Sequence, residues 1–315
     1  MLGLNLQQLE YLVAVDNYKQ FTIAAEKCFV TQPTLSMQIK KAEEQLGIVI
    51  FDRSKQPVLT TPVGQSIVNQ ARVVMNEYNR LEEIVREESG RIEGQLTIGI
   101  IPSVAPYLLP RFVGHFKAQN PLVSISFKEM ITEELVKALK KDVLDAAILV
   151  TPLHDKELIE QQLFYEDVLI YAHPSHPLHS VETLTADMLT SSGLWLLDEG
   201  HCFRSQVLNL CEIQENASSD LPLHFESGSL DTIRKMVDAE GGYTLMPGLA
   251  AEELFFELHK QVKEFESPVP LREVSIVYSR AFYKRLLIER LSESVKANVP
   301  EEMLDQDRGQ VVEWQ

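Results

Sequence analysis

The chain has 315 residues and a formal charge of −17, with no run near the roughly 18 apolar residues of a membrane span, so a membrane protein is excluded and two or three domains are expected. The charge is unevenly placed. Residues 1–65 hold six acids and six bases, so the whole −17 lies in residues 66–315, and a neutral front with an acidic remainder points to two jobs.

The first 15 residues carry leucines but no basic leader, and Glu10 and Asp16 interrupt them, so an export signal is not expected. With only three cysteines, this predicts a reducing cytoplasm. Leu6, Leu9, Leu12 and Val13 share one face of a helix from residue 6 to about residue 15. A second helix covers Phe21 to Lys27, where Ala24 and Ala25 permit close packing, and Cys28 falls on its inner side. Thr31 then caps a third helix with Pro33 in its first turn, where a missing N–H costs nothing. This helix turns Leu35, Ile39, Ala42 and Leu46 inward and ends at Gly47.

Helix, short turn and capped helix form the helix-turn-helix pattern, whose second helix enters the DNA major groove by its N-terminal end. Thr31, Gln32, Pro33, Thr34, Ser36 and Gln38 lie at that end, and Lys40, Lys41, Arg53 and Lys55 are suited to phosphates. Residues 48–51 and 58–60 flank a turn and read as a small β-wing, completing a winged domain over 1–60. The plain alternative is a helical hairpin with solvated polar faces. Residues 61–93 follow as a long linker helix, apolar at Ile67, Ala71, Val74, Tyr78, Leu81 and Val85. Alternating steps of four and three make a straight seam that fits a partner helix. Packing of the seam on its own winged domain is the alternative. A two-fold dimer would match a palindromic DNA site.

From Gly94 the period changes. Strands at 95–101, 123–127, 145–150, 167–171, 242–246 and 274–278 alternate with helices at 106–119, 133–141, 229–239 and 283–296, which argues parallel α/β sheets. Ligands of such sheets bind outside the carboxyl ends of the strands, here Ser103, Thr132, His201-Cys202 and Ser227-Gly228. Hydroxyls at Ser103 and Thr132 beside a thiolate suit a small hydroxylic ligand better than an anion. The three histidines at 173, 176 and 179 read as an exposed loop, and no metal or cofactor is expected. After Pro300 the acidic tail has no periodicity, and residues 306–315 are expected to be disordered.

Two of the three cysteines sit in one element. An apolar run of strand character, Leu194 to Leu197, ends at Asp198-Glu199-Gly200, and a helix then runs from His201-Cys202 to Cys211. A helix N-terminus flanked by His201 and Arg204 favours the Cys202 thiolate, while Asp198 and Glu199 oppose it. Along one helix, Cys202 and Cys211 stand about 13.5 Å apart, whereas a disulfide needs Cα atoms roughly 4.4–6.8 Å apart. Either the pair never bonds and Cys211 is a buried apolar residue, or bonding destroys the helix.

The run Phe21 to Ala25 through Thr31-Gln32-Pro33-Thr34-Leu35-Ser36, with Leu46-Gly47, Phe51-Asp52-Arg53 and Gly64, resembles the LysR-type transcriptional regulators. Residues 99–103 and 106–110, and above all Asp198 to Arg204 with Cys211, are similar to the peroxide-sensing members of that family. The resemblance implies a regulatory domain over 94–305 of two Rossmann-like subdomains of the periplasmic-binding-protein kind, I at 94–166 and 267–305 and II at 167–266. It implies Cys202 as the peroxidatic and Cys211 as the resolving cysteine, with hydrogen peroxide positioned by Ser103, Thr132, His201 and Arg204. Ser103 replaces the threonine of the family pattern, keeping the hydroxyl and losing the methyl. Double-stranded promoter DNA, homodimers and homotetramers, RNA polymerase, and glutaredoxin or thioredoxin as reductant follow as implied partners. The rival readings are a regulator of this type that binds a small metabolite with inert cysteines, a thiol peroxidase, and a solute-binding protein.

Overall fold

The computed structural model describes residues 3–89, 92–211, 227–254, 256–280 and 284–313. It divides into two units, of which the first is essentially residues 1–91. In it, α1 (Leu6–Tyr18) starts at a reciprocal cap between Asn5 and Gln8, and α2 (Phe21–Lys27) follows. Thr31 caps α3 (Gln32–Leu46), which stops at Gly47 in the left-handed conformation. Leu12, Val15, Ala24, Leu35, Ile39 and Phe51 bury their side chains in one core. The wing is short, with β1 (Phe51–Asp52) antiparallel to β2 (Leu59–Thr60).

The linker helix α4 (Pro62–Ser89) begins against this core. Its Arg72 reaches Asp16 of α1 at 2.9 Å. Burial pushes the Asp16 carboxyl up, but Lys19, Thr60 and Arg72 outweigh it and hold it below the ordinary value. The expected seam divides: Ile67 and Ala71 pack inward, whereas Val74, Tyr78, Leu81 and Val85 are exposed.

Gly64 is where α4 meets the wing. A Cβ there would lie 2.3 Å from the Ile50 carbonyl oxygen and 2.9 Å from the Ile50 Cα, both backbone atoms that cannot turn aside. Gly64→Ala is expected to cost about 1–3 kcal/mol through overpacking, read as a lower melting temperature of the full chain. Gly114→Ala, in a helix with open space around it, is the control and should be neutral or stabilising. Equal melting of the two variants would show that the contact yields.

The second unit holds one continuous sheet in the order β4-β3-β5-β9-β6-β7. Strand β3 (Gly94–Ile100), α5 (Ala105–Gln119), β4 (Val123–Glu129), α6 (Thr132–Lys140) and β5 (Ala146–Thr151) form an α/β half whose three strands are parallel. Two long antiparallel strands, β6 (Leu158–Ala172) and β9 (Val269–Ser279), run on from this half into a second. There β7 (Tyr243–Pro247) and β8 (Val262–Lys263) pair with β6. Helices α7 (Cys202–Leu210), α8 (Leu230–Glu240) and α9 (Gly248–Glu252) cover the second half, and α10 (Arg285–Lys296) returns to the first. The expected start of α10 at Tyr283 lies outside the described residues.

Three expectations are corrected. The sheet is parallel only across β3, β4 and β5, because the long strands β6 and β9 pair antiparallel with each other and with β7 and β5. The apolar run from Leu194 is not a strand: it makes a single bridge, Leu194 to Tyr243, because its later backbone groups go elsewhere. The Leu197 carbonyl accepts from Arg204, and the Asp198 N–H donates to Ser227. The tail is ordered over its described part, where β10 (Gly309–Val311) pairs in parallel with the start of β9. The tail lacks periodicity because three residues are too few to show one, and its pairing groups are backbone. Side-chain polarity says nothing about them.

Candidate functional site

Two places gather the residues singled out above. In the first unit, Thr31, Gln32, Pro33 and Thr34 form the exposed first turn of α3. Thr31 caps it, and its hydroxyl lies 2.8 Å from that of Thr34. Arg53 of the wing stacks over Phe21 at 4.9 Å and donates to Ser36 at 3.2 Å and to Glu43 at 2.9 Å. Lys40, Lys41 and Lys55 are exposed beside them. Gln38 is half-buried, and its side chain accepts a bond from Gln8. A capped helix end flanked by cations can meet base edges and phosphates together.

In the second unit, Cys202 is buried at the first turn of α7. Ser103, after β3, and Thr132, opening α6, are buried too, each 3% exposed. The Thr132 hydroxyl faces the thiol and meets no other polar atom among the described residues. A residue the sequence reading missed completes the group: Arg272 of β9, fully buried, donates to the Ser103 hydroxyl and carbonyl at 3.0 Å each and lies over the Phe203 ring at 5.1 Å. Its other side is paired with Glu166 of β6 at 2.6 Å, and Glu166 also accepts from the Leu249 N–H at 2.8 Å.

Burial pushes the Cys202 thiol above its ordinary value, against the pull of Arg272, Thr132 and the Phe203 N–H. The expected cations act differently. Arg204 donates to the Leu197 carbonyl at 2.9 Å, and His201 stands 3.0 Å from Asp198. The cation that acts on the thiol is therefore Arg272. Its sequence signal was slight, one basic residue beside an acid, Glu273, in the strand Leu271 to Val277.

Cys211 closes the other end of α7, its N–H bonded to the Val207 carbonyl. Burial alone pushes its thiol up to about 12. All three cysteines are free, and the intact helix holds Cys202 and Cys211 about 13.5 Å apart along its axis. Among the described residues no group of three or more His, Cys, Asp and Glu side chains could hold a metal. His173 bonds Ser175, and His176 packs on Tyr243.

The chain as a whole is similar to known proteins. A family model described as bacterial regulatory helix-turn-helix protein, lysR family, matches residues 6–65, and one described as LysR substrate binding domain matches residues 89–300. The chain is 38% identical to the hydrogen peroxide-inducible genes activator of Haemophilus influenzae, over 94% of this chain and 97% of that protein. Its structure is similar to that of a full-length OxyR variant from Pseudomonas aeruginosa, with a TM-score of 0.79, 32% identity, and 94% and 98% of the two chains covered. It is also similar to an H2O2-bound OxyR mutant from Corynebacterium glutamicum, with a TM-score of 0.61, 26% identity, and 93% and 92% covered.

Proposed function

We propose, on the premise that the chain belongs to the LysR family of bacterial regulatory helix-turn-helix proteins, that it is a DNA-binding activator of transcription switched by hydrogen peroxide through Cys202 and Cys211. One observation carries this reading: a buried thiol faces a Thr132 hydroxyl that has no other partner among the described residues, under a fixed guanidinium, with a second thiol at the far end of the same helix.

Hydrogen peroxide is read as the ligand taken up beside Ser103, Thr132 and Cys202, which contribute two hydroxyls and a thiol, all buried. Cys202 sulfur attacks one peroxide oxygen; the O–O bond breaks, an S–O bond forms, and the second oxygen leaves as water with the thiol proton. His201 and Arg204 contribute indirectly, by holding Asp198 and the Leu197 carbonyl in the segment that leads into Cys202. Cys211 sulfur then displaces the hydroxyl of the sulfenic acid as a second water, so two thiols are oxidised and one peroxide is reduced to two waters. The link cannot form on an intact α7, so the helix must uncoil, and this change of shape is the signal.

Val74, Tyr78, Leu81 and Val85 leave an apolar stripe on α4 that a second copy would cover, giving dimers and, on extended sites, tetramers. The dimer places two α3 N-termini, with Thr31, Gln32, Pro33, Thr34, Ser36, Lys40, Arg53 and Lys55, on a palindromic promoter, and Gln38 behind them. RNA polymerase is the partner that reads the oxidised form. Glutaredoxin or thioredoxin restores the thiols by exchange, in a reducing cytoplasm.

Promoters that the protein occupies in its own bacterium, fused to a reporter, test this. Hydrogen peroxide is expected to raise expression with the natural chain, while Cys202→Ser occupies the same promoters without responding. Full induction in Cys202→Ser would favour a metabolite-binding regulator, and steady peroxide turnover at enzyme-like rates would favour a thiol peroxidase.

A further inference from the structure

The C-terminal strand touches the helix that has to uncoil. Two α7 side chains reach it: Gln206 donates to the Val312 carbonyl at 2.9 Å, and Asn209 donates to the Glu313 carbonyl at 3.1 Å. The strand is itself fixed to β9 by the pairing of Gly309 to Val311 with Val269 to Leu271, and the Val312 N–H donates to Leu271 at 2.8 Å. Arg308 anchors its start by an ion pair with Asp167 at 2.9 Å. Gln206 and Asn209 both lie between the two cysteines, so no path from coiled to linked leaves them in place.

We propose that β10, held by Gln206 and Asn209, is a clasp on the redox helix, and that its release sets how readily the Cys202–Cys211 disulfide forms. This rests on the reading of that pair as redox-active. The geometry has three parts. The bonds run from side chains to backbone carbonyls, so they depend on the helix's presentation of both amides and are lost once it uncoils. The tail also forms one wall of a cleft of about 760 Å³ bounded by Thr185, Phe265 and Leu210, so the strand and the end of α7 have room to part without opening the core. Leu271, which accepts from the tail, immediately precedes Arg272, so the clasp grips the strand that supplies the cation of the thiol site.

The clasp acts on the second chemical step alone. Oxidation of Cys202 to the sulfenic acid needs no movement of α7. Attack by Cys211, which forms S–S, breaks S–O and releases water, needs the helix and hence the clasp to open. Each net hydrogen bond is worth about fivefold in an equilibrium, so loss of the whole strand should exceed loss of one amide.

Full-length protein is compared with a chain ending at Arg308, which keeps the Asp167 pair, and with Asn209→Ser, an exposed position where serine has nearly the same helix propensity and is too short to reach Glu313. One equivalent of hydrogen peroxide is added, the reaction is quenched with N-ethylmaleimide at intervals, and the Cys202–Cys211 peptide pair is measured by mass spectrometry. The sulfenic acid is trapped in parallel with dimedone in a Cys211→Ser background. The linked pair is expected about tenfold or more sooner in the shortened chain and about fivefold sooner in Asn209→Ser, with sulfenic acid forming at an unchanged rate. Linking at the natural rate, or slower, in both variants overturns the clasp while leaving the redox pair standing. No linked pair in any chain overturns the pairing, and the clasp with it.

Discussion

One equivalent of hydrogen peroxide is expected to join Cys202 to Cys211 and to leave Cys28 a thiol. Trypsin separates the two at Arg204, so the product is a pair of peptides held only by the new bond. Cys211→Ser should stop at a sulfenic acid on Cys202, and Cys202→Ser should lose the reaction altogether. The last expectation follows from ionisation, because the thiolate is the nucleophile. Burial, with Glu10 adding to it, pushes Cys28 up to about 11, and burial pushes Cys211 up to about 12. Both thiols therefore stay protonated at pH 7 and are poor first nucleophiles. Cys202 is also pushed up by burial, but it alone has Arg272, Thr132 and a helix N–H pulling the other way.

The sign of that shift has a consequence for pH. A raised thiol gains thiolate tenfold per pH unit until its own pKa is passed. The rate of Cys202 oxidation should therefore climb through neutrality and beyond the ordinary thiol value. A rate that levels off below pH 7 would show that the thiolate is already formed at rest, and that the buried pocket stabilises charge more than its geometry implies.

The helix-turn-helix was legible because each boundary carries a local cause: Thr31 as a cap, Pro33 where no N–H is needed, Gly47 where the backbone turns left-handed. Ser103 and Thr132 were legible as strand-end residues of an alternating α/β chain, and Cys202 as the first residue of a helix. Arg272 and Glu166 were not. They meet from β9 and β6, 106 positions apart in the chain, and each is followed by an acid, Glu273 or Asp167, so neither shows a spacing that names the other. The ordered tail was hidden for a related reason, since its pairing uses backbone groups that every residue has. The basic residues near Cys202 in sequence, His201 and Arg204, drew the expectation instead, yet their side chains engage Asp198 and Leu197.

Arg272→Met is expected to produce the largest loss of stability of any single change in the thiol site. Arg272 and Glu166 are 0% and 1% exposed, and the pair is close at 2.6 Å. Burial pushes the Glu166 carboxyl up, with Arg272 and the Leu249 N–H opposing it, so the guanidinium is what keeps the buried charge tolerable. Removing one partner of such a pair typically costs about 3–5 kcal/mol because the other is left uncompensated. A lower melting temperature of the full chain measures this. Replacing both, as Arg272→Met with Glu166→Gln, removes the stranded charge and should recover much of the loss. Reactivity should not recover with it. Without the guanidinium the Cys202 thiol loses its main opposing charge and rises further, slowing oxidation by about 10- to 100-fold, as expected for an opposite charge lost nearby. A double variant that is stable but slow separates the two duties of Arg272. One that is stable and as fast as the natural chain would mean that the arginine holds the strands together and leaves the thiol to Thr132 and the helix alone.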